Sequence, residues 1–325
     1  MAPFRPRLLP QPKPLLKLPP MAPGAGVSIV APAASAKLEL AERGMKRLRT
    51  LSLVPRLCHH AFQKGPLYFA GTPAQRLEDL HAAFADANSS AVMSLRGGYG
   101  SNYLLDGLDL ELIRRHPKPF FGYSDLTGIQ LRLLDQLGLP AFHGPMVAAD
   151  FSNENGVHLA SFHLALAGVP YSLGPAEGLR VLKPGRLFNK IRGVLYGGCL
   201  SILVSLLGTP YEPQTEGKLL FLEDTGAKPY QVDRMLWQLR QAGKLAGVRG
   251  IIFGEMVDCV SPGASPNLLE EVLLRVFEDF DGPIAIGLRS GHVSHSNVTL
   301  TMGVEAELVL TDEVALHLLQ PAVAP

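Results

Sequence analysis

Short apolar runs alternate with segments of helical periodicity along the first half of the chain. The run VSIV at residues 27–30 predicts a strand, and a helix is predicted from about residue 37 to residue 49. Further strand-like runs occur at 90–95 and 119–121, and each precedes another helix-like stretch. Strands that alternate with helices are typical of a wound α/β fold with a parallel sheet. We therefore predict an N-terminal domain of this class at residues 23–150.

The second half of the chain contains a larger share of strand-like runs. GKLLFLED (217–224) and VRGIIFGEM (248–256) predict buried strands, and an amphipathic helix is predicted between them at 229–243. Further strand-like runs follow towards the end of the chain. We predict a C-terminal mixed α/β domain, rich in β structure, at residues 191–325. The Gly/Pro-punctuated segment 151–190 is predicted to be a linker.

Proline dominates the beginning of the chain. The first twenty residues hold seven prolines, four basic residues and no acid. A secretory signal needs an unbroken apolar core of about 7–15 residues, which these prolines interrupt. We predict a disordered arm at residues 1–22. No apolar run approaches the roughly 18 residues of a membrane-spanning helix, so no membrane partner is expected.

Composition narrows the possible functions. The 325 residues are 47% hydrophobic and carry a formal net charge of +1, with no basic stripe after the arm. Nucleic acid is therefore not an expected partner. Cys58, Cys199 and Cys259 lie far apart, which argues against a disulfide framework and a cysteine-rich zinc site. A reducing compartment is expected, and hence the cytoplasm.

The segment FFGYSDLTGIQ (120–130) places a serine between an apolar run and a helix-like stretch. Gly122 gives the backbone freedom at this junction, so Ser124 lies at a strand-to-helix corner. A nucleophile elbow presents a catalytic hydroxyl at such a corner. Serine is also a favoured helix N-cap residue, so a purely capping role for Ser124 fits the same residues.

A serine hydroxyl becomes a good nucleophile only when a base takes its proton. Among the ten histidines, His292 follows small residues in the SGH loop, just past a strand-like run. Glu223 and Asp224 end the run KLLFLED, and loops at strand ends often present functional groups. His143, in FHGPM, is expected to be structural, with a hydrogen bond to a loop carbonyl. His295 is expected to be a surface or hydrogen-bonding residue.

Other interpretations fit the same residues. His292 and His295 could belong to a metal site, although no third ligand has a helical metal-site spacing, so no metal is expected. Glu223 or Asp224 could cap the following helix or pair with Arg234.

The RGGYGS turn has its own alternatives. Gly97, Gly98 and Gly100 could cradle a phosphate, but they lack the dinucleotide spacing and no P-loop lysine follows. A glycine-rich turn at a strand end can also expose a backbone N–H towards a neighbouring elbow. Together with the N–H of Asp125, directly after the serine, it would form an oxyanion hole.

These motifs together resemble those of the LD-carboxypeptidases, a family of serine peptidases that includes muramoyltetrapeptide carboxypeptidases and microcin C immunity hydrolases. The shared pieces are RGGYGSNYLLDGLD, FFGYSDLTGIQ, FHGPM, GGCLSILVSLLGTP, LFLEDTGAKPYQVDRMLWQL and SGHVSHSNVTL. They stand in the family's order, and only the proline-rich arm lies outside the resemblance.

The resemblance implies an active site between the two domains, without metal or cofactor, in a homodimer. The implied triad is Ser124, Glu223 and His292, and the implied oxyanion donors are the backbone of Gly97 or Gly98 and of Asp125. Arg96, beside this hole, is a candidate for binding the substrate's terminal carboxylate, or it braces the turn.

Two departures from the family pattern bear on the substrate. Cys199 stands where the family usually has asparagine, which puts a side-chain hydrogen bond there in doubt. The microcin branch carries a tryptophan that stacks on adenine, whereas Trp237 lies on the predicted helix and is expected to pack. We therefore expect a cytoplasmic enzyme that removes the terminal D-alanine from murein tetrapeptides. A hydrolase of peptidyl-nucleotide conjugates and a catalytically silent binding module are the alternatives.

Overall fold

The computed structural model describes residues 13–260, 263–265 and 267–324. The strands in these residues are β1 (Gly26–Val30), β2 (Val54–Leu57), β3 (Ala91–Ser94), β4 (Phe120–Gly122), β5 (Ala141–His143), β6 (Tyr171–Leu173), β7 (Arg180–Lys183), β8 (Lys190–Cys199), β9 (Lys218–Glu223), β10 (Gly250–Gly254), β11 (Ile284–Leu288), β12 (Leu300–Met302), β13 (Glu305–Leu310) and β14 (Val314–Leu318). The α-helices are α1 (Leu38–Thr50), α2 (Pro73–Ala85), α3 (Leu110–Arg115), α4 (Thr127–Leu137), α5 (Leu159–Leu166), α6 (Leu200–Ser205), α7 (Pro229–Gln241) and α8 (Leu268–Val276).

The first sheet confirms the predicted wound α/β class. Within the described residues it has six strands in the order β12-β5-β4-β3-β1-β2. The five strands from the first half of the chain pair in parallel. All residues of β1, β3, β4 and β5 are buried, which is typical of a parallel sheet covered on both faces. The sixth strand, β12, comes from the C-terminal part and pairs antiparallel with β5.

The second sheet confirms the mixed, strand-rich C-terminal part. Within the described residues its eight strands run in the order β6-β14-β13-β8-β9-β10-β11-β7. The central strands β8 to β11 are parallel, and the flanking pairs are antiparallel. Strand β9 therefore lies in the middle of this sheet and carries its C-terminal residue, Glu223, to the edge where parallel strands end.

Residues 151–190 hold more structure than the linker that the sequence predicts. They contain α5 and two short strands, β6 and β7, which form opposite edges of the second sheet. These strands have only three and four residues, so their periodicity is too short to recognise. Their partners, β14 and β11, follow more than 100 residues later in the chain.

Part of the proline-rich arm also differs from its prediction. Residues 1–12 lie outside the described residues, but 13–22 contact the folded chain. Leu18 is fully buried, and it exchanges backbone hydrogen bonds with Ala322 and Ala324 near the other end of the chain. Leucines interleaved with the prolines supply the apolar contacts that hold this segment in place. None of the described helices has the length and apolar character needed to cross a bilayer.

Candidate active site

Ser124 stands at a sharp turn between β4 and α4. Its φ angle is 64°, in the left-handed region that non-glycine residues rarely adopt. A single turn of 3-10 helix, Ser124–Leu126, joins the strand to the helix, and Leu126 occupies the N-cap position without a side-chain cap. Ser124 therefore does not cap the helix. Its strained corner has the backbone form of a nucleophile elbow.

Close packing explains the glycines around this corner. A Cβ atom on Gly122 would lie 2.4 Å from Cδ1 of Leu126. A Cβ atom on Gly97 would lie 2.9 Å from Cβ and 3.1 Å from Oγ of Ser124. The RGG turn therefore brings bare main chain directly against the serine hydroxyl.

Neighbouring hydrogen bonds fix the main chain on both sides of the serine. The Gly97 carbonyl accepts a hydrogen bond from the amide of Ala34 at 3.3 Å. Because the C=O and N–H of a trans peptide point in opposite directions, the N–H of Gly98 faces away from Ala34. Oδ2 of buried Asp125 accepts from the Ser101 amide at 2.7 Å, and its carbonyl accepts from the Ser101 hydroxyl at 2.6 Å. The candidate oxyanion donors thus lie on backbone that is already ordered, as transition-state stabilisation requires.

Glu223 is fully buried at the end of β9 and accepts two hydrogen bonds from His292. Its Oε2 accepts from ring Nδ1 of His292 at 2.8 Å and from the backbone N–H of His292 at 2.9 Å. Cβ atoms on Gly254 and Gly291 would lie 2.7 Å from Cβ and 2.6 Å from Cδ of Glu223, so these glycines make room for the carboxylate. With Nδ1 as the donor, Nε2 of His292 is left as a base.

The pair shifts the protonation of both partners. Burial raises the pKa of the Glu223 carboxyl, but the charge and hydrogen bonds of His292 outweigh burial and hold that pKa below its usual value. Burial by itself lowers the pKa of His292, but the charge and hydrogen bond of Glu223 raise it above its usual value. Glu223 is therefore ionised and stabilises an imidazolium at His292.

The other charged candidates have local roles. Oδ2 of Asp224 accepts from the Ser201 amide at 2.8 Å and so caps the start of α6. The Arg234 guanidinium lies over the ring of Tyr230. His295 is exposed, as expected for a surface residue. The described part of the chain contains no group of three or more His, Cys, Asp or Glu side chains suited to holding a metal ion.

A buried network that the sequence does not signal lies behind His292. Nδ2 of Asn297 donates to Oδ1 of Asp150 and to the Gly291 carbonyl, both at 3.1 Å, and its Oδ1 accepts from the Gly291 amide at 3.1 Å. The Tyr123 hydroxyl donates to Oδ1 of Asp150 at 3.4 Å, and its ring meets that of His292 edge to face at 5.2 Å. Burial raises the pKa of Asp150 to about 6. The network ties the histidine loop to the N-terminal part of the chain.

Ser124 and His292 lie on the wall of one cavity of about 370 Å³. The glycines of the RGG turn, Arg96 and Lys37 line the same cavity, and both cationic side chains are exposed. A larger cavity of about 780 Å³ lies elsewhere and is lined by none of these residues. The smaller cavity therefore holds the candidate active site.

Two domains of a known family match this chain. Residues 27–144 match the LD-carboxypeptidase N-terminal domain, and residues 192–308 match the LD-carboxypeptidase C-terminal domain. Together the two matches cover more than half of the chain. The chain belongs to the LD-carboxypeptidase family. It is accordingly a serine-type carboxypeptidase, a hydrolase.

Relatives of this LD-carboxypeptidase include proteins of both branches of the family. A probable murein peptide carboxypeptidase of Bacillus subtilis is 36% identical over 300 residues, covering 90% of this chain and 91% of the relative. The crystal structure of a muramoyltetrapeptide carboxypeptidase from Oxalobacter formigenes superposes with a TM-score of 0.80 at 26% identity, covering 91% of this chain and 99% of that one. The crystal structure of an MccF-like protein from Bacillus anthracis superposes with a TM-score of 0.85 at 25% identity, covering 94% of this chain and 99% of that one.

Two departures of this LD-carboxypeptidase from the family pattern have structural consequences. Cys199 is buried, its amide donates to Oγ1 of Thr127 at 3.2 Å, and its Sγ lies 3.3 Å from Oγ of Ser201. Burial keeps the pKa of the Cys199 thiol well above its usual value, so the side chain is neutral. Trp237 is half exposed beneath the Arg240 guanidinium, so it packs less than the sequence predicts, and it lies outside the cavity lining.

Proposed function

We propose that this LD-carboxypeptidase removes the C-terminal D-alanine from murein tetrapeptides through a Ser124-His292-Glu223 triad and an acyl-enzyme. One observation carries the proposal: a buried carboxylate holds His292 on the wall of the cavity that also contains the strained Ser124. The names of the Bacillus subtilis and Oxalobacter formigenes relatives support a murein peptide as substrate.

The chemistry follows from the protonation states. Neutral His292 takes the proton of the Ser124 hydroxyl at Nε2, while Glu223 stabilises the imidazolium. The serine oxygen attacks the carbonyl carbon of the terminal peptide bond. The oxyanion is stabilised by N–H groups of the RGG turn, at Gly97 or Gly98, and of Asp125.

Collapse of this intermediate breaks the terminal peptide bond. His292 returns its proton to the departing amine, and D-alanine leaves. The tripeptidyl group remains as an ester on Ser124. Water, deprotonated by His292, then hydrolyses the ester and restores the hydroxyl. Each step uses only these side chains, backbone N–H groups and water.

The direct test is turnover of a defined muropeptide. Purified enzyme should release D-alanine from a murein tetrapeptide, seen by mass spectrometry, at the same rate with and without a chelator. No release from any muropeptide in a panel that varies the third residue would contradict the proposal. A protein that binds the muropeptide without cleaving it would instead be a binding module.

Activity should fall on the acid side of a pH profile because His292 must be neutral to accept a proton. Glu223 raises the pKa of His292, so kcat/KM should increase as the pH rises through a midpoint above the ordinary histidine value of about 6.5. Measuring kcat/KM from about pH 5 to about pH 9 gives this midpoint. A midpoint clearly below the ordinary value would contradict a histidine paired with an ionised carboxylate.

Arg96 is proposed to bind the terminal carboxylate of the substrate. Arg96→Met should lower kcat/KM about 10-fold to 100-fold, because a hydrogen bond to a charged group contributes about 1.5–3 kcal/mol. Arg96→Lys should recover part of the loss, and Lys37→Met serves as the matched control from the same cavity wall.

A substrate with a C-terminal amide separates binding from bracing of the turn. If Arg96 binds the carboxylate, the wild-type enzyme prefers the acid over the amide, and Arg96→Met loses that preference. If Arg96 only braces the RGG turn, turnover of acid and amide falls by the same factor.

A peptidyl-nucleotide conjugate is the second candidate substrate, which the superposition with the MccF-like protein favours. In this chain Trp237 lies outside the cavity lining, so it is not placed to stack on a nucleobase bound there. We therefore expect higher kcat/KM for the murein tetrapeptide than for an aminoacyl sulfamoyl adenosine or related conjugate. The reverse order would assign the chain to the immunity branch.

Compartment and assembly are further proposals. Cys58, Cys199 and Cys259 are free thiols, which fits a reducing compartment such as the cytoplasm. The family resemblance supports a homodimer. Light scattering after size-exclusion chromatography measures the mass in solution, and a monomer at working concentrations would contradict the dimer.

A further inference from the structure

Several buried polar atoms beside the candidate triad have no hydrogen-bond partner among the described residues. They are both ring nitrogens of His143, Oε1 of Glu223, Oγ of Ser290 and Oγ1 of Thr299. The hydrogen bond from His143 to a loop carbonyl, expected from the sequence, is therefore not found there. Buried polar groups are nearly always paired, and each exception calls for an explanation.

The packing places the His143 ring against the face of β9 from which Glu223 extends. His143 ends β5, and its ring lies 5.2 Å from the ring of Phe221 and 6.0 Å from that of Tyr123. Phe221 and Glu223 are two residues apart on β9, so their side chains extend from the same face of the strand. The Tyr123 ring, in turn, contacts His292. His143 itself is fully buried.

The hydrogen-bonding capacities of these groups are complementary. Burial lowers the pKa of His143 to about 4, although Glu223 opposes this shift, so the ring is neutral in the range where a serine peptidase works. A neutral imidazole has one N–H donor and one acceptor nitrogen. Oε2 of Glu223 already accepts two hydrogen bonds from His292, whereas Oε1 needs a donor. The buried hydroxyl groups of Ser290 and Thr299 also have no partner among the described residues.

We propose that His143 is a positioning residue for Glu223: its imidazole N–H donates to a bridging water molecule, which donates in turn to Oε1 of the carboxylate. His143 and Oε1 of Glu223 share no direct hydrogen bond, and a bridging water is enthalpically nearly as good as a direct one. The inference rests on the proposed triad. Each carboxylate oxygen of Glu223 then interacts with a different histidine. Oε2 accepts hydrogen bonds from the base, His292, and Oε1 interacts with His143, which takes no part in proton transfer.

This second contact fixes the plane of the carboxylate and shares its charge. Without it, Oε1 is a buried acceptor with no donor, and the charge of Glu223 acts on His292 alone. The pKa of His292 then rises further, and less of the base is neutral at a given pH. Titratable groups that face His292 are Glu223, Asp224, Asp150 and Tyr123. Those that face His143 are Glu223, His292 and Tyr123.

Three variants test the role. His143→Phe keeps the ring packing but removes both nitrogens, and His143→Gln keeps an N–H donor. His163→Phe makes the same exchange at an exposed histidine on α5 and is the matched control. We expect His143→Phe to lower kcat about 10-fold to 100-fold with little change in KM, as loss of a buried hydrogen bond to a charged group implies. The acid limb of kcat/KM should move to higher pH, and His143→Gln should recover much of kcat.

A merely structural role predicts a different pattern. His143→Phe would then unfold at lower temperature but keep the wild-type kcat and pH midpoint in its folded fraction, and His143→Gln would be no better. That pattern, or an unchanged His143→Phe, overturns the inference.

A spectroscopic readout does not require turnover. In protein with ¹⁵N-labelled histidine, the His143 ring should remain neutral and in one tautomer between about pH 5 and pH 8. Glu223→Gln should shift its nitrogen resonances, because an amide replaces the charged acceptor. If the ring nitrogen resonances of His143 do not change in Glu223→Gln, the inference is overturned even if the enzyme is active. Resonances that respond, in a protein without carboxypeptidase activity, uphold the contact while the proposed function fails.

Discussion

Replacing Ser124 by alanine is expected to lower kcat for D-alanine release by about 10⁶-fold, the loss typical of removing a nucleophile from a serine triad. No other group can form the ester, so only the stabilisation that the backbone N–H groups and substrate binding provide should remain. Steady-state kinetics with the murein tetrapeptide measure the loss, and the thermal unfolding midpoint shows whether the fold is kept. Alanine retains the Cβ atom at this left-handed position, so little change in stability is expected.

Ser152→Ala is the matched control for Ser124. Ser152 lines the same cavity, but its hydroxyl donates to the Ala148 carbonyl at 2.9 Å and is thereby committed to the backbone. Its loss should leave kcat within a few-fold of wild type. Comparable activity in Ser124→Ala and Ser152→Ala would show that the elbow serine is not the nucleophile.

Glu223→Gln should lower kcat by about 10⁴-fold, because an amide neither stabilises the imidazolium nor holds the required tautomer of His292. The pKa of His292 is raised by Glu223, so removing the charge should also move the acid limb of residual activity to lower pH. The pH dependence of kcat/KM in the variant checks both effects. A variant with near wild-type kcat would contradict the assignment of Glu223 as the triad acid.

Asp224→Asn is the control one residue further along. Asp224 holds the amides of Ser201 and Thr225, both at 2.8 Å, so its substitution should act on stability more than on chemistry. If Asp224→Asn lost as much kcat as Glu223→Gln, the loss in the Glu223 variant would no longer identify Glu223 as the triad acid.

The sequence predicts the fold class because alternating apolar runs and helical periods are long in the regions that form the first sheet and the centre of the second. It does not predict β6 and β7, whose three or four residues are paired with strands distant in the chain. Packing against remote partners, which no local pattern records, orders these segments. The same holds for Leu18, whose burial depends on contacts with Ala322 and Ala324.

For the candidate site, too, the sequence indicates some features and only the structure shows the others. Serine at a strand-to-helix corner is compatible with a cap or a nucleophile, and only the left-handed backbone of Ser124, with Leu126 in the cap position, decides against the cap. Motifs in family order single out Glu223 and His292 in advance. The network of Asp150 and Asn297 joins residues 147 positions apart, so the sequence contains no spacing that could reveal it.

An acyl-enzyme mechanism requires the Ser124 oxygen to carry the tripeptidyl group during turnover. Wild-type enzyme mixed with excess murein tetrapeptide, quenched in acid at successive times and digested, would be examined by mass spectrometry. We expect the peptide containing Ser124 to gain the mass of the tripeptidyl group, and this adduct to decay once substrate is exhausted. Release of D-alanine at the full rate with the adduct on a different residue would contradict this mechanism.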